Sequence, residues 1–244
     1  VTRRLTAVFA HPDDETFAIG ATLAGYSDSG VRCSLYCATD GDAGRSSGVP
    51  VSSRAELATV RRAELEAACK ILGVDLLECG GHPDGALAAT DPDVVLAEIV
   101  GLIRRERPQV VLTFGPEGAP TKHRDHRAIC RLATSAFLLA GTSTAFPEQL
   151  TEGLAPHRAA RLCYVTWPTP APDADFPTQG QPIDISVPAS ALHGRKTEAF
   201  MAHRTQHDHM EHFEALALSA TEDYFVAIGV PAPHGGTDLF EALD

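Results

Sequence analysis

A histidine, a proline, two aspartates and a glutamate stand in a row at residues 11–15, directly after the apolar run LTAVFA at 5–10. An ordinary turn or helix cap needs one acidic oxygen. This segment offers two aspartates and an imidazole on a turn that Pro12 stiffens. Adjacent side chains on a tight turn point apart, so Asp13 and Asp14 can do different work from one anchor: one binds a metal ion while its neighbour accepts a proton. A second source of imidazole is HRDH at 123–126. His123 and His126 are three residues apart and fall on one side of a helical turn. Two histidines and one carboxylate, with positions open for water, form the ligand set of a catalytic zinc ion. His11, one of the two aspartates and one of the two later histidines satisfy it.

Other polar groups follow the same rhythm. TDGDAG (39–44), GHPDG (81–85) and GPEGAPTKHRDH (115–126) each come after an apolar run. Together with the first motif they give a rim of His11, Asp13, Asp14, Asp40, Asp42, His82, Asp84, His123, Asp125 and His126. Turn and cap chemistry explains Asp40, Asp42 and Asp125 equally well. A separate group, His203, His207, His209 and His212, lacks the H-E-x-x-H spacing and reads as the polar surface of a C-terminal helix. Of the neighbours Arg61 and Arg62, one is expected to be solvated helix surface.

The elements that must position these groups alternate. Strands are expected at 4–10, 31–38, 74–80, 109–114 and 160–168. Helices are expected at 16–30, 52–73 (a serine start, Gly73 at the end), 91–108 (acids first, arginines last) and from 126 onward. Alternation of this kind implies right-handed crossovers and a mostly parallel, doubly wound sheet, with ligands beyond the carboxyl ends of the strands. The expected fold class is therefore α/β: a Rossmann-like, mostly parallel sheet with helices on both faces. A single domain over 1–244 is expected, with a core at 4–167 and an extension at 168–244 packed on it. That extension reads as a proline-rich loop (168–182) that could act as a lid, a short edge strand at 183–188 and then helix.

Composition narrows the partners. The 244 residues are 44% hydrophobic and carry a formal net charge of -12. An acidic chain is poorly suited to nucleic acid or an anionic membrane, and a small neutral substrate suits it better. Six cysteines lie scattered in apolar segments and read as free thiols. The first residues have too few apolar positions for a signal peptide, and no stretch approaches the roughly 20 needed to span a bilayer, so a cytoplasmic location is expected. A phosphoacceptor receiver module also places two acids after its first strand, but would need an aspartate ending the third strand and a lysine after the fifth. Neither G-x-G-x-x-G nor a P-loop lysine supports nucleotide binding.

In order, AHPDDE, TDGDAG, PDG and HRDH over residues 5–140, with an echo in RKTEAFMAHRTQ at 195–206, closely resemble the zinc-dependent N-acetylglucosaminyl deacetylase family of LmbE-like and PIG-L-like proteins. The resemblance implies that His11, Asp14 and His126 bind the metal, that Asp13 is the general base, and that His123 stabilises the oxyanion as a protonated ring or protonates the leaving amine. Arg61 and Asp84 match sugar-binding positions, and His203 would lie near the substrate pocket. Zinc is the implied cofactor, with iron compatible with the same ligands. The implied reaction releases acetate from a small N-acetylglucosamine-containing glycoside; the alternative is an amidase cleaving a cysteinyl amide, and a non-catalytic sugar-binding relative is the alternative of another class. Members often form homo-oligomers. HRDH has arginine where the family frequently has proline, and the loop at 44–53 carries no family motif.

Overall fold

The computed structural model describes residues 2–168 and 179–243. Most of the expected proline-rich loop therefore lies outside the described residues. The chain begins β1 (Arg4–Phe9), α1 (Asp14–Asp28), β2 (Arg32–Thr39), α2 (Arg54–Leu72), β3 (Leu76–His82), α3 (Pro92–Glu106), β4 (Val110–Phe114) and α4 (Arg124–Leu139). After α5 (Pro147–Thr151) come β5 (Arg161–Thr166), β6 (Ile185–Pro188), α6 (His193–Ala202), α7 (Met210–Leu216) and β7 (Thr221–Gly229).

These strands form one sheet in the order β3-β2-β1-β4-β5-β7-β6. β1 to β5 run parallel, while β7 is antiparallel to both β5 and β6. Parallel strands covered on both faces should be apolar throughout. β4 is buried at every position, and β1 at all but Arg4. α1, α2 and α6 pack together, and α3 packs against α4. The order reverses between β1 and β4, opening a crevice beyond their carboxyl ends.

Local chemistry sets the helix ends. Ser53 Oγ accepts the Glu56 N–H at 3.1 Å, and Gly73 closes α2 at φ 77°. In α3, Asp91 caps the first turn, Pro92 opens it, and Arg104 and Arg105 occupy the last. α1 departs from expectation, starting at Asp14 and breaking at Ile19 (φ -142°, ψ 19°). The Ala21 and Thr22 amides exposed by that break donate to Glu222 at 3.0 and 2.7 Å, and Lys196 Nζ meets the same carboxylate at 2.5 Å. β7, which supplies Glu222, was not expected; it seats the expected edge strand at the far side of the sheet.

Candidate metal centre and active site

β1 ends in a turn whose backbone nitrogens face inward. Asp14 Oδ2 accepts the N–H groups of Ala10 and His11 at 3.1 and 2.8 Å, so one carboxylate oxygen is spent on fixing the turn. Asp13, the residue before α1, adopts φ 120°, ψ -26°. A non-glycine residue held there costs about 1–3 kcal/mol and persists only where its surroundings over-determine it.

From the other side of the crevice, α4 starts at Arg124, which makes His123 its N-cap rather than a residue of its face. The preceding loop is tightly wound. Gly118 has φ 82°, and a Cβ there would sit 2.7 Å from the His123 carbonyl oxygen. Its own carbonyl accepts Nδ1–H of His126 at 3.2 Å, while Phe114 stacks on the ring with centroids 4.1 Å apart.

Three donors meet in the crevice. His11 Nδ1 lies 3.4 Å from Asp14 Oδ2, His126 Nε2 lies 3.1 Å from Asp14 Oδ1, and the two ring nitrogens are 3.2 Å apart. Tetrahedral ligation with bonds of about 2.0–2.1 Å separates ligand atoms by about 3.3 Å. The two imidazole nitrogens and the Asp14 carboxylate, facing His126 through Oδ1 and His11 through Oδ2, are spaced closely enough to gather round a small ion. Tautomers agree, because the hydrogen bond made by one ring nitrogen decides which lone pair is free. His11 Nε2 faces Asp84 Oδ1 at 3.1 Å and Asp125 Oδ2 at 3.4 Å, so its proton sits there and Nδ1 is free. The Gly118 carbonyl does the same for His126, freeing Nε2.

Among the described residues, donor atoms of His11, His123 and His126, and of His11, Asp84 and Asp125, lie within 4.8 Å of one another. In the second, the contacts to His11 are its hydrogen bonds. In the first, His123 Nδ1 accepts the Asp125 N–H at 3.2 Å, which leaves a proton on Nε2. His123 is therefore a donor toward the crevice. Burial, with His11 and His126 adding to it, lowers its pKa. In this tautomer the ring carries Nε2–H.

Electrostatics separates the two aspartates. Burial pushes the Asp13 carboxyl up to about 6, against the pull of Arg61. Burial acts on Asp14 in the same sense, but His126 and His11 outweigh it and hold Asp14 well below the usual range. Burial also opposes a charge on His11; hydrogen bonds to Asp125, Asp14 and Asp84 prevail and raise its pKa well above an ordinary imidazole.

The remaining expected residues divide. Arg61 is 3% exposed and Arg62 is exposed. The Arg61 guanidinium lies 3.3 Å from Asp13 Oδ2, donates to the Gly41 carbonyl at 3.0 Å and also to the Pro12 carbonyl. Gly41 leaves it room, since a Cβ there would fall 2.3 Å from Nη1. Asp84 joins the cluster through His11 and accepts the Ala43 N–H at 3.2 Å. Asp42 ties Arg54 to the Asp84 N–H, Asp40 is a half-buried loop residue, and His82 turns toward Glu98 at 3.0 Å.

Asp125 is 0% exposed and accepts the Gly85 and Leu87 N–H groups at 2.7 and 3.2 Å, joining the loop after β3 to α4 behind His11. Its place within HRDH was the only signal for this role. The late histidines do not form one surface: His203 is 0% exposed and bonds Glu15 Oε1 at 2.7 Å, whereas His207 bonds the Met201 carbonyl at 3.1 Å. Glu15 received no expectation, although it directly follows the paired aspartates.

The family model described as PIG-L, GlcNAc-PI de-N-acetylase, matches residues 6–137. A 1D-myo-inositol 2-acetamido-2-deoxy-alpha-D-glucopyranoside deacetylase from Salinispora arenicola is 31% identical over 99% of this chain and 92% of its own length. A probable N-acetyl-alpha-D-glucosaminyl L-malate deacetylase 2 from Bacillus cereus is 36% identical over 55% of this chain and 60% of its own. Among solved structures, the N,N'-diacetylchitobiose deacetylase of Pyrococcus horikoshii superposes with a TM-score of 0.74 at 22% identity, covering 92% of this chain and 83% of its own. GalB of Pseudomonas putida, a 4-carboxy-2-hydroxymuconate hydratase, does so at 0.75 and 19% identity, covering 97% and 100%. These two structures share the fold; their different reactions show that the fold alone does not select the chemistry.

Proposed function

The chain belongs to the PIG-L family of GlcNAc-PI de-N-acetylases, and from that premise we propose that it hydrolyses the acetamide of a small N-acetylglucosamine-containing glycoside in a metal-dependent reaction. Likeness over nearly the whole chain to an inositol glycoside deacetylase supports 1D-myo-inositol 2-acetamido-2-deoxy-alpha-D-glucopyranoside as substrate. The L-malate glycoside, named for a relative matched over a shorter span, is its competitor. The observation that carries this reading is the meeting of His11 Nδ1, His126 Nε2 and the Asp14 carboxylate beside Asp13.

We assign His11, Asp14 and His126 as the ligands of one zinc ion, with iron the alternative for the same donors. Such an ion supplies Lewis acidity at the acetamide carbonyl and makes water more acidic. Asp13, its carboxyl raised to about 6, takes a proton from the attacking water as the oxygen–carbon bond forms. His123 donates Nε2–H to the carbonyl oxygen as that oxygen gains charge. When the carbon–nitrogen bond breaks, the proton held by Asp13 returns to nitrogen, and the products are acetate and a free amine. Arg61 and Asp84 are engaged with protein partners. We assign them to holding the walls that the sugar meets, Arg61 along the turns at Pro12 and Gly41 and Asp84 behind His11.

Six free thiols, five of them buried, support a reducing cytoplasm as the compartment. Among the described helices none is long and apolar enough to cross a membrane.

Metal analysis combined with acetate release from the two glycosides, on wild type and Asp13→Ala, tests the reading. About one zinc per chain, with acetate release abolished in the variant while zinc is retained, is the expected result. Iron at the same stoichiometry would replace zinc in the assignment. Release that survives Asp13→Ala, or a fully metallated protein inert toward both glycosides, overturns it.

A further inference from the structure

Asp13 holds its rare backbone conformation because both polar groups of the Pro12–Asp13 peptide are gripped by buried, oppositely charged side chains. Arg61 donates to the Pro12 carbonyl oxygen, and the Asp13 N–H donates to Glu15 Oε2 at 3.0 Å. Glu15 is 1% exposed, and a lone carboxylate in such a place is unfavourable. Its other oxygen accepts His203 Nε2–H at 2.7 Å and the Thr16 hydroxyl at 2.5 Å.

His203 comes from beyond the parallel half of the sheet, at the end of α6. Its Nδ1 is buried with no hydrogen-bond partner, so among the described residues the side chain directs its polarity at Glu15 alone. Two residues on, the Thr205 N–H and hydroxyl donate to Glu64 at 3.0 and 2.6 Å. Glu64 lies on α2, three residues after Arg61. One helix thereby anchors both sides of the grip.

We infer that Glu15 and His203 are positioning residues that act through the Pro12–Asp13 peptide to aim the Asp13 carboxylate. Resting on the assignment of Asp13 as base, this places a requirement for the reaction in the C-terminal third of the chain. Without the His203 bond, Glu15 is a buried carboxylate held only by the Thr16 hydroxyl and the Asp13 amide, and its grip on the Pro12–Asp13 peptide is no longer anchored from α6. A shift of about 1 Å at a reacting group lowers turnover by about 100-fold.

The zinc-loaded full chain is the material for the test, with 1D-myo-inositol 2-acetamido-2-deoxy-alpha-D-glucopyranoside as probe. In His203→Leu, zinc content and KM should stay near wild type while kcat falls by about 100-fold and the Asp13 amide exchanges its hydrogen faster. His203→Gln, whose amide nitrogen reaches the place of Nε2, should recover most of both. Tyr224→Phe removes an equally buried bond onto α1, the Tyr224 hydroxyl to Thr22 Oγ1 at 2.7 Å, and should lower stability without changing kcat.

Wild-type turnover in His203→Leu, or equal losses in His203→Leu and Tyr224→Phe, overturns the inference. If His203→Leu does not fold, Glu15→Gln decides: reduced kcat at unchanged KM supports the grip, and unchanged kcat removes it. Asp13→Ala separates the two levels. Activity surviving there removes the base assignment and the inference with it, whereas activity lost there but intact in His203→Leu removes only the grip. The exchange of the Asp13 amide needs no substrate, and unchanged protection in His203→Leu overturns the inference whichever glycoside is turned over.

Discussion

At the carboxyl ends of β1 and β4, lone pairs converge on a common point; around Lys196, Glu222 and Arg161, buried charges end on protein partners. His11 Nδ1, His126 Nε2 and Asp14 crowd within 3.1–3.4 Å of one another. Lys196 meets Glu222 at 2.5 Å, Glu222 also receives two amides of α1, and Arg161 donates four bonds to the carbonyls of Val230, Pro231, Leu239 and Glu241. Both regions bury charge that an apolar interior resists. The difference lies in what remains free. Groups left with an unspent lone pair can bind and react, while groups whose partners are all protein hold shape.

If that division is sound, variants in the two regions should fail differently. The largest effect on stability is expected for Lys196→Met, which strands the Glu222 carboxylate 5% exposed at the α1 kink. Breaking a buried pair from one side costs about 3–5 kcal/mol. Urea unfolding of the metallated protein should show that loss, with kcat per folded molecule preserved. A fall in kcat without a loss of stability would break the comparison.

Next comes Asp125→Asn, which alters the support behind His11 while leaving every donor in place. Removing such a partner typically weakens metal binding by about 10–100-fold, measurable by competition with a chelator. The pH dependence has a definite sign. In the metal-free fold His11 binds its proton more tightly than an ordinary imidazole; zinc must displace that proton, so affinity should rise with pH. Asp125→Asn removes one of the groups raising the His11 pKa, so the rise should level off at a lower pH. A plateau reached at the wild-type pH would show that Asp125 does not govern His11.

The paired arginines on α2 sharpen the comparison through pH, with the smallest effect expected at Arg62. Asp13 must be ionised to accept a proton, so kcat/KM should fall as pH drops through its raised pKa of about 6. Burial sets that rise and Arg61 opposes it, so Arg61→Met should move the acid limb to higher pH. Arg62→Met, on the exposed side, should leave the limb in place and stability within about 0.5 kcal/mol. A limb unmoved in Arg61→Met would separate Asp13 from the observed titration.

Much of this was legible along the chain because it is local. The serine before α2, Gly73 after it, Asp91 before α3 and Pro92 at its start, and the apolar runs of β1 and β4 each state their structure within a few residues. The same holds for HPDDE and HRDH, whose residue types point to a metal and a base before any contact is known. Less legible were features that depend on distant partners. The break in α1 at Ile19 rests on Glu222, 203 positions later. His203 read both as a member of a surface histidine group and, by resemblance, as a neighbour of the substrate pocket; only burial placed it against Glu15. Asp125 was equally well explained as a cap, and the bonds of Arg61 to the Pro12 and Gly41 carbonyls left no local mark.

The sequence by itself determined the alternation of strands and helices, the loops that carry chemistry and the residue types able to hold a metal and move a proton. Helix periods, caps and turn residues act over a few positions, so they leave a readable pattern. Tertiary structure alone decided which imidazole nitrogen is free, which aspartate has the raised pKa, and how residues 196–222 support a turn at residues 12–15. Those outcomes depend on burial and on hydrogen bonds between segments far apart in the chain, and the folding of one sheet first brings those segments within reach.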